Sequence, residues 1–147
     1  MVVIVILYRF FLNQDLDFAN ASLFHQVSKL FADSSTVSIT SFISPYRTDR
    51  LLARELHATV SPPIPFIEVY IDVPLQVAEA RDPKGLYKKA REGVIKGFTG
   101  IDAPYEAPET PELRIRTDQV SVEEAVQQIV DYLVSKGYVK LKAPAPN

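Results

Sequence analysis

The chain has 147 residues, 47% of them hydrophobic and 23% charged, a composition that is ordinary for one globular domain and excludes a disordered chain. Its formal net charge of -2 argues against a general nucleic-acid-binding surface, so no nucleic acid partner is expected. Cysteine is absent, which excludes disulfides, thiolate metal sites and cysteine nucleophiles and makes a reducing, cytoplasmic location the default expectation.

The amino-terminal stretch MVVIVILYRFFL is apolar, but it is too short to cross a membrane and Arg9 interrupts it. No positive residue precedes the apolar run and no small-residue cleavage pattern follows it, so neither a signal peptide nor a membrane partner is expected. The run from Val2 to Leu7 is instead typical of a strand that is covered on both faces in a parallel sheet.

A helix and a second strand are predicted next. The helix spans 17–32, and its apolar stripe consists of Leu23, Val27, Leu30 and Phe31. The strand spans 36–43 and ends at Ser44, because Pro45 fixes its own φ and disfavours helical backbone in the residue before it.

The following segment predicts another helix and a third strand. Pro45 suits the first turn of a helix over 45–59, whose apolar positions are Leu51, Leu52 and Leu56. Residues 66–73, reading FIEVYIDV, predict a strand, and Pro74 begins a short helix, LQVAEA.

The stretch from Arg81 to Tyr105 combines basic residues with glycines. It carries six basic residues, which are Arg81, Lys84, Lys88, Lys89, Arg91 and Lys96. Gly93, Gly97 and Gly100 follow one another closely, and glycine permits positive φ and close backbone approach to a ligand. This pattern predicts a basic lid over phosphate groups. A solvated surface helix is the alternative, because Lys88, Lys89 and Arg91 would lie on or near one helical face.

The carboxyl-terminal third predicts a short strand and a capped helix. The strand is Leu113 to Arg116, and Ser121 caps a helix that ends at Gly137. The apolar face of that helix consists of Val122, Ala125, Val126, Ile129, Val130 and Leu133. Alternating strands and helices predict one α/β domain over 1–147, with three layers and a parallel sheet.

Ligands of such sheets bind beyond the carboxyl ends of the strands. Ser44 and the corner Asp72-Val73-Pro74 are expected at that edge, and the lid should lie on the same edge.

Three segments resemble the adenylylsulfate kinase family: ITSFISPYRTDR, EVYIDVPLQVAEARDPKGLYKKAREGVIKGFTGIDAPYE and TDQVSVEEAVQQIVDYL. The resemblance covers most of the chain from Val27 to Tyr138. It implies a P-loop NTPase fold of the nucleotide-kinase type. It also implies a sulfate-assimilation transferase that moves the γ-phosphate of ATP, with Mg²⁺, to the 3′-hydroxyl of adenylyl sulfate. A homodimer is implied as well.

The resemblance assigns Ile43 and Ser44 to the adenylyl sulfate site. Ser44 matches a serine described as a phosphorylated intermediate in this family, although a simple helix cap is the plainer interpretation. Direct in-line transfer is sufficient for phosphoryl transfer, so a binding role for Ser44 is favoured over a covalent one.

The remaining site residues also follow from the resemblance. Lys84 matches a substrate-contacting lysine, and Gly97 with Phe98 matches a pair that holds the adenine. The other expected substrate residues are Arg9, Asn13 and Phe18. The expected lid and nucleotide residues are Arg81, Lys88, Lys89, Arg91 and Val120, and no metal ligand is assigned.

The sequence departs from the family pattern upstream of Val27. It contains no G-x-x-x-x-G-K-[ST], the motif that cradles the ATP phosphates, and Ile4 to Leu7 stand where the family has D-G-D-N. The helix after Phe18 is also shortened. These departures predict a truncated or altered kinase without the P-loop strand and loop, in which Val2 to Leu7 fills the empty strand position or sheet edges stay unpaired. Negligible kinase activity is expected from this chain alone.

Two other functions stay open. The chain could be a non-catalytic nucleotide-binding module, or an interaction fragment that associates with an intact kinase subunit. His25 and His57 have no adjacent acid or nucleophile in the sequence and predict ordinary surface or core positions.

Overall fold

The computed structural model describes residues 2–7 and 25–140. Its strands are β1 (Val2–Leu7), β2 (Val37–Phe42), β3 (Phe66–Asp72) and β4 (Leu113–Arg116). Its helices are α1 (25–33), α2 (Arg47–Ala58), α3 (Leu75–Arg81), α4 (Leu86–Arg91) and α5 (Val122–Ser135).

The four strands form one parallel sheet in the order β2-β1-β3-β4. Strand β1 is an inner strand, because Val2 pairs with Val37 of β2 while Val3 pairs with Phe66 of β3. The predicted strand over 2–7 is therefore confirmed, and it fills a position between two others in the sheet.

The sheet separates two groups of helices. On one face, Phe66 of β3 packs with Ala32 of α1 and Ala53 of α2. On the other face, the next residue, Ile67, packs with Leu133 of α5. This alternation follows from the opposite directions of successive side chains in a strand, and it confirms the predicted three-layer α/β arrangement.

Most of the described residues of the predicted apolar faces of α1 and α2 are exposed, while Leu56 is half-buried and Leu23 lies outside the described residues. Leu30 and Phe31 are 67% and 56% exposed, and Leu51 and Leu52 are 50% and 53% exposed. The buried residues are instead His25, Ser28 and Ala32 in α1 and Arg50, Ala53 and His57 in α2. Small residues at the contact let these helices approach β3 closely, and Arg50 is paired with Glu68.

The ends of the carboxyl-terminal helix, α5, lie where the sequence predicts them, but part of its predicted apolar face is exposed. Ser121 and Glu124 form a reciprocal capping box, since the Ser121 side chain accepts from the Glu124 N–H and the Glu124 carboxylate accepts from the Ser121 N–H. Leu133 is buried, but Val122 and Val126 are 75% and 53% exposed. No helix in the described part of the chain is both long and apolar enough to cross a membrane.

Candidate nucleotide site at the carboxyl edge of the sheet

The carboxyl ends of β2, β3 and β4 meet at one edge, where the lid begins. The Thr117 N–H, just after β4, donates to the carbonyl of Asp72 at the end of β3 at 3.0 Å. Arg81, the last residue of α3, donates from Nη2 to the carbonyl of Thr117 at 2.6 Å. The start of the predicted lid is therefore fixed to the strand ends at which α/β sheets bind ligands.

The loop after β2 holds Ser44 in an unusual backbone conformation. Ser44 has φ of 38°, in the left-handed region that non-glycine residues rarely adopt, and Ile43 before it is buried. Arg50 Nη1 donates to the Ser44 carbonyl at 2.6 Å. A strained residue held by a buried partner is typical of functional sites, so this geometry supports the choice of Ser44 as a candidate.

The first half of the lid is organised by Asp82. Its carboxylate accepts from the N–H groups of Leu86, Tyr87 and Lys88 at 2.8, 3.2 and 3.0 Å, which caps α4. Desolvation alone would raise the pKa of Asp82, but these three bonds outweigh it and lower that pKa. The turn between Asp82 and α4 presents Lys84 as an exposed side chain.

The second half of the lid is organised by Asp102. The N–H groups of Gly97 and Phe98 donate to its carboxylate at 2.8 and 2.5 Å, and the bond from Gly97 is the main cause of the lowered pKa of Asp102. The Phe98 ring is 1% exposed and meets the Tyr87 ring edge to face at 4.9 Å. In this conformation Phe98 belongs to the core of the lid, and its contact with adenine stays a prediction.

The basic residues of the lid divide into two groups. The two arginines have intramolecular partners, since Arg81 bonds to Thr117 and Arg91 forms an ion pair with Glu79. Lys88 and Lys89 have exposed side chains on the outside of α4. Surface lysines fit both the lid and the solvated-helix interpretations.

Val120 occupies a different environment from the lid residues. It is half-buried and packs against the core formed by Ile67, Ile115 and Leu133. Its assignment to the nucleotide site stays a prediction, as do those of Arg9, Asn13 and Phe18, which lie outside the described residues.

A buried charge network next to Ser44 was not anticipated from the sequence. Arg50 and Glu68 are 5% and 8% exposed, and Arg50 Nε lies 3.0 Å from Glu68 Oε1. Arg54 contacts Glu68 at 3.1 Å and donates to both carboxylate oxygens of Glu112, at 2.6 and 2.9 Å. The only sequence signal was the helical spacing of Arg50 and Arg54, which also fits an exposed polar face.

The carboxylates at the ends of β3 and β4 are engaged by arginines. Arg114 contacts Asp72 at 2.6 Å, and Arg116 donates to both oxygens of Asp118, which lowers the pKa of Asp118. Among residues 2–7 and 25–140, no group of three or more His, Asp or Glu side chains is arranged to bind a metal.

Comparison with known proteins identifies the family. The profile described as "Adenylylsulphate kinase" matches residues 8–116. An adenylyl-sulfate kinase of Penicillium chrysogenum is 57% identical over 144 residues, 91% of this chain and 68% of that protein. One of Saccharomyces cerevisiae is 60% identical over 138 residues, 90% of this chain and 67% of that protein.

A solved structure agrees with these relatives. The Mycobacterium tuberculosis APS kinase CysC, in complex with AMPPNP and APS, superposes with a TM-score of 0.76 at 37% identity, and the match covers 90% of this chain and 81% of that one. It supports the α/β architecture and the parallel sheet described above. On the family profile, the sequence identities and the shared fold, the chain belongs to the adenylylsulphate kinase family.

Proposed function

We propose that the chain binds adenylyl sulfate at the carboxyl edge of the sheet, between the loop at Ile43 and Ser44 and the lid over 81–105. The observation that carries the proposal is that the side chain of Arg50 connects the loop to the residue at which the lid ends. Arg50 donates to the carbonyl of Ser44 and to that of Glu106, the residue that follows the lid, at 2.6 Å each. Family membership supports adenylyl sulfate as the ligand.

In this proposal each segment has a defined task. The loop presents Ser44 as a binding residue, and the exposed Lys84 supplies positive charge to the phosphosulfate from the lid. Lys88 and Lys89 add to the positive potential over the same edge. Phe98 and Gly97 would contact adenine only if the lid turn held by Asp102 rearranged.

The reaction assigned to the site is phosphoryl transfer from ATP to the 3′-hydroxyl of adenylyl sulfate. These 147 residues contain no G-x-x-x-x-G-K-[ST], the motif that supplies the backbone cradle and the lysine for the ATP phosphates. Electrostatic stabilisation of this kind contributes several kcal/mol to such reactions, so we expect adenylyl sulfate binding with negligible transfer by this chain alone. The two candidate functions are therefore phosphoryl transfer, which family membership favours, and non-catalytic nucleotide binding, which the missing motif favours.

Calorimetry tests the binding proposal. The purified chain is titrated with adenylyl sulfate, and Lys84→Ala is compared with Lys140→Ala, a matched loss of an exposed lysine outside the lid. We expect Lys84→Ala to weaken binding by roughly tenfold, as for loss of a charge-assisted hydrogen bond, and Lys140→Ala to bind as the unaltered chain does. Absence of binding by the folded, unaltered chain contradicts the proposal.

An activity assay decides between the two functions. Formation of 3′-phosphoadenylyl sulfate from Mg-ATP and adenylyl sulfate is measured with the same three proteins. Product that disappears in Lys84→Ala would assign catalysis to this chain, whereas binding without product supports the non-catalytic role.

Light scattering on the same samples tests the predicted homodimer, and co-elution with an intact kinase tests association with such a subunit.

A further inference from the structure

The segment that follows the lid is fastened to the amino-terminal end of α2 by four contacts. The Glu106 N–H donates to the Pro45 carbonyl at 2.9 Å, and the Glu106 carboxylate accepts from the Arg47 N–H at 2.7 Å. The Glu106 carbonyl accepts from Arg50 at 2.6 Å, and Arg47 pairs with Glu109 at 2.5 Å. We call residues 106–109 the strap.

The carboxylate of Glu106 replaces a local helix cap. Tyr46 is the N-cap residue of α2, and its side chain makes no capping hydrogen bond. The first N–H of the helix, that of Arg47, is satisfied by Glu106, which lies 59 residues later in the chain. A carboxylate at this position is favourable because the N-terminal N–H groups of a helix need acceptors and the helix dipole favours negative charge there.

The loop immediately before α2 contains Ser44. Its φ of 38° is a conformation that surrounding contacts must hold. Arg50 donates to the Ser44 carbonyl and to the Glu106 carbonyl, and the Glu106 N–H donates to the carbonyl of the next loop residue, Pro45. Arg50 and Pro45 thus connect the Ser44 loop to residue 106, so the order of the lid exit and that of the Ser44 loop are linked.

We propose that Glu106 is a positioning residue that latches the folded lid to the Ser44 loop and keeps this loop in the conformation that binds adenylyl sulfate. The inference rests on the proposed function for the identity of the ligand, but the latch itself is a property of the chain. When the latch is lost, the competent loop conformation is less populated, and apparent affinity falls by that fraction.

The test uses three exposed-site variants of the full chain. Glu106→Ala removes the remote cap, Glu106→Gln keeps an oxygen that can accept from the Arg47 N–H, and Glu109→Ala removes only an exposed ion pair of the same strap. Adenylyl sulfate affinity is measured by calorimetry. Hydrogen exchange of the peptide covering 43–48 is measured without ligand.

We expect Glu106→Ala to weaken adenylyl sulfate binding by roughly fivefold, the effect of a lost helix cap, and to speed exchange across 43–48. Glu106→Gln should retain most of the affinity and most of the protection from exchange across 43–48. Glu109→Ala should match the unaltered chain in both measurements. If the unaltered chain binds and Glu106→Ala binds equally well, the positioning role of Glu106 is wrong and the proposed function stands.

The exchange measurement separates the two failures. If the unaltered chain does not bind adenylyl sulfate, the proposed function is contradicted and so is the ligand-positioning role of Glu106. Faster exchange at 43–48 in Glu106→Ala would then still establish the mechanical link, and unchanged exchange would overturn that link too.

Discussion

Two buried histidines stand side by side where α1 and α2 meet β3. The His25 and His57 ring centroids are 6.2 Å apart, and both rings pack against Phe66. His57 Nδ1 lies 2.7 Å from the Ala53 carbonyl, which requires a proton on Nδ1. Burial, with the charge of His57 as a second cause, lowers the pKa of His25 to about 4, and burial likewise lowers the pKa of His57.

These histidines predict acid sensitivity. Because their folded-state pKa values lie below 6.5, the unfolded chain binds more protons, and stability should fall as pH drops from about 6.5 towards 4. Urea unfolding at pH 7 and pH 5 measures this, and the midpoint should be lower at pH 5. In His25→Leu the difference between the two pH values should shrink, since one of only two histidines is gone.

Equal midpoints at both pH values in the unaltered chain would contradict this account. A fall in the urea midpoint between pH 7 and pH 5 that is as large in His25→Leu as in the unaltered chain would also contradict it. The interval above pH 5 is chosen because carboxylates, which ordinarily titrate near 4, contribute little there.

At the scale of elements, strands were more predictable than helix faces. All four strands lie within one residue of their predicted bounds, and β1, β2 and β3 are rich in β-branched and aromatic residues, which are a direct local signal. The faces of α1 and α2 were predicted from the largest apolar residues, yet small residues and an arginine are buried. Helical spacing alone does not show which side of a helix packs on the sheet. An arginine can lie on the buried side when a partner such as Glu68 compensates its charge.

A pair of isoleucines on different strands tests the burial pattern of the sheet. Ile115 of β4 is 0% exposed and Ile39 of β2 is 63% exposed. We expect Ile115→Ala to lower the free energy of unfolding by about 2–5 kcal/mol, through lost burial and a cavity. Ile39→Ala should change it by no more than about 0.5 kcal/mol.

Urea unfolding of both variants, with the unaltered chain alongside, gives these free energies. Similar losses in the two variants would mean that β2 is covered in solution as deeply as β4. The matched residue type removes side-chain chemistry as an explanation of any difference.

At the scale of the whole molecule, the charge network joins parts that are distant in sequence. Glu112 precedes β4, yet its carboxylate accepts from Arg54 of α2 and from the Glu68 N–H of β3. Burial alone would raise the pKa of Glu112, but these hydrogen bonds outweigh it and lower that pKa. Such partners could not be read from the sequence, since they lie more than forty residues apart, as the separations of 44 and 58 show.

Glu112→Gln should therefore destabilise the chain. We expect a loss of about 1–2 kcal/mol, below the value for a fully buried pair because the Arg54 side chain keeps 32% exposure. Glu109→Gln is the matched control, since its ion pair with Arg47 is exposed on both sides and should be worth little. Thermal unfolding measures both, and equal melting temperatures for the two variants would contradict the role assigned to Glu112.

The position of β1 also governs the order in which the sheet can assemble. Residue 2 pairs with residue 37 and residue 3 with residue 66, and β2 reaches β3 only through β1. The paired strands of this sheet are therefore all distant in sequence, and long loops must close before the hydrogen bonds of any strand pair can form. During synthesis, β1 must wait for β3 before both of its edges are paired, and in that interval the chain depends most on protection from aggregation.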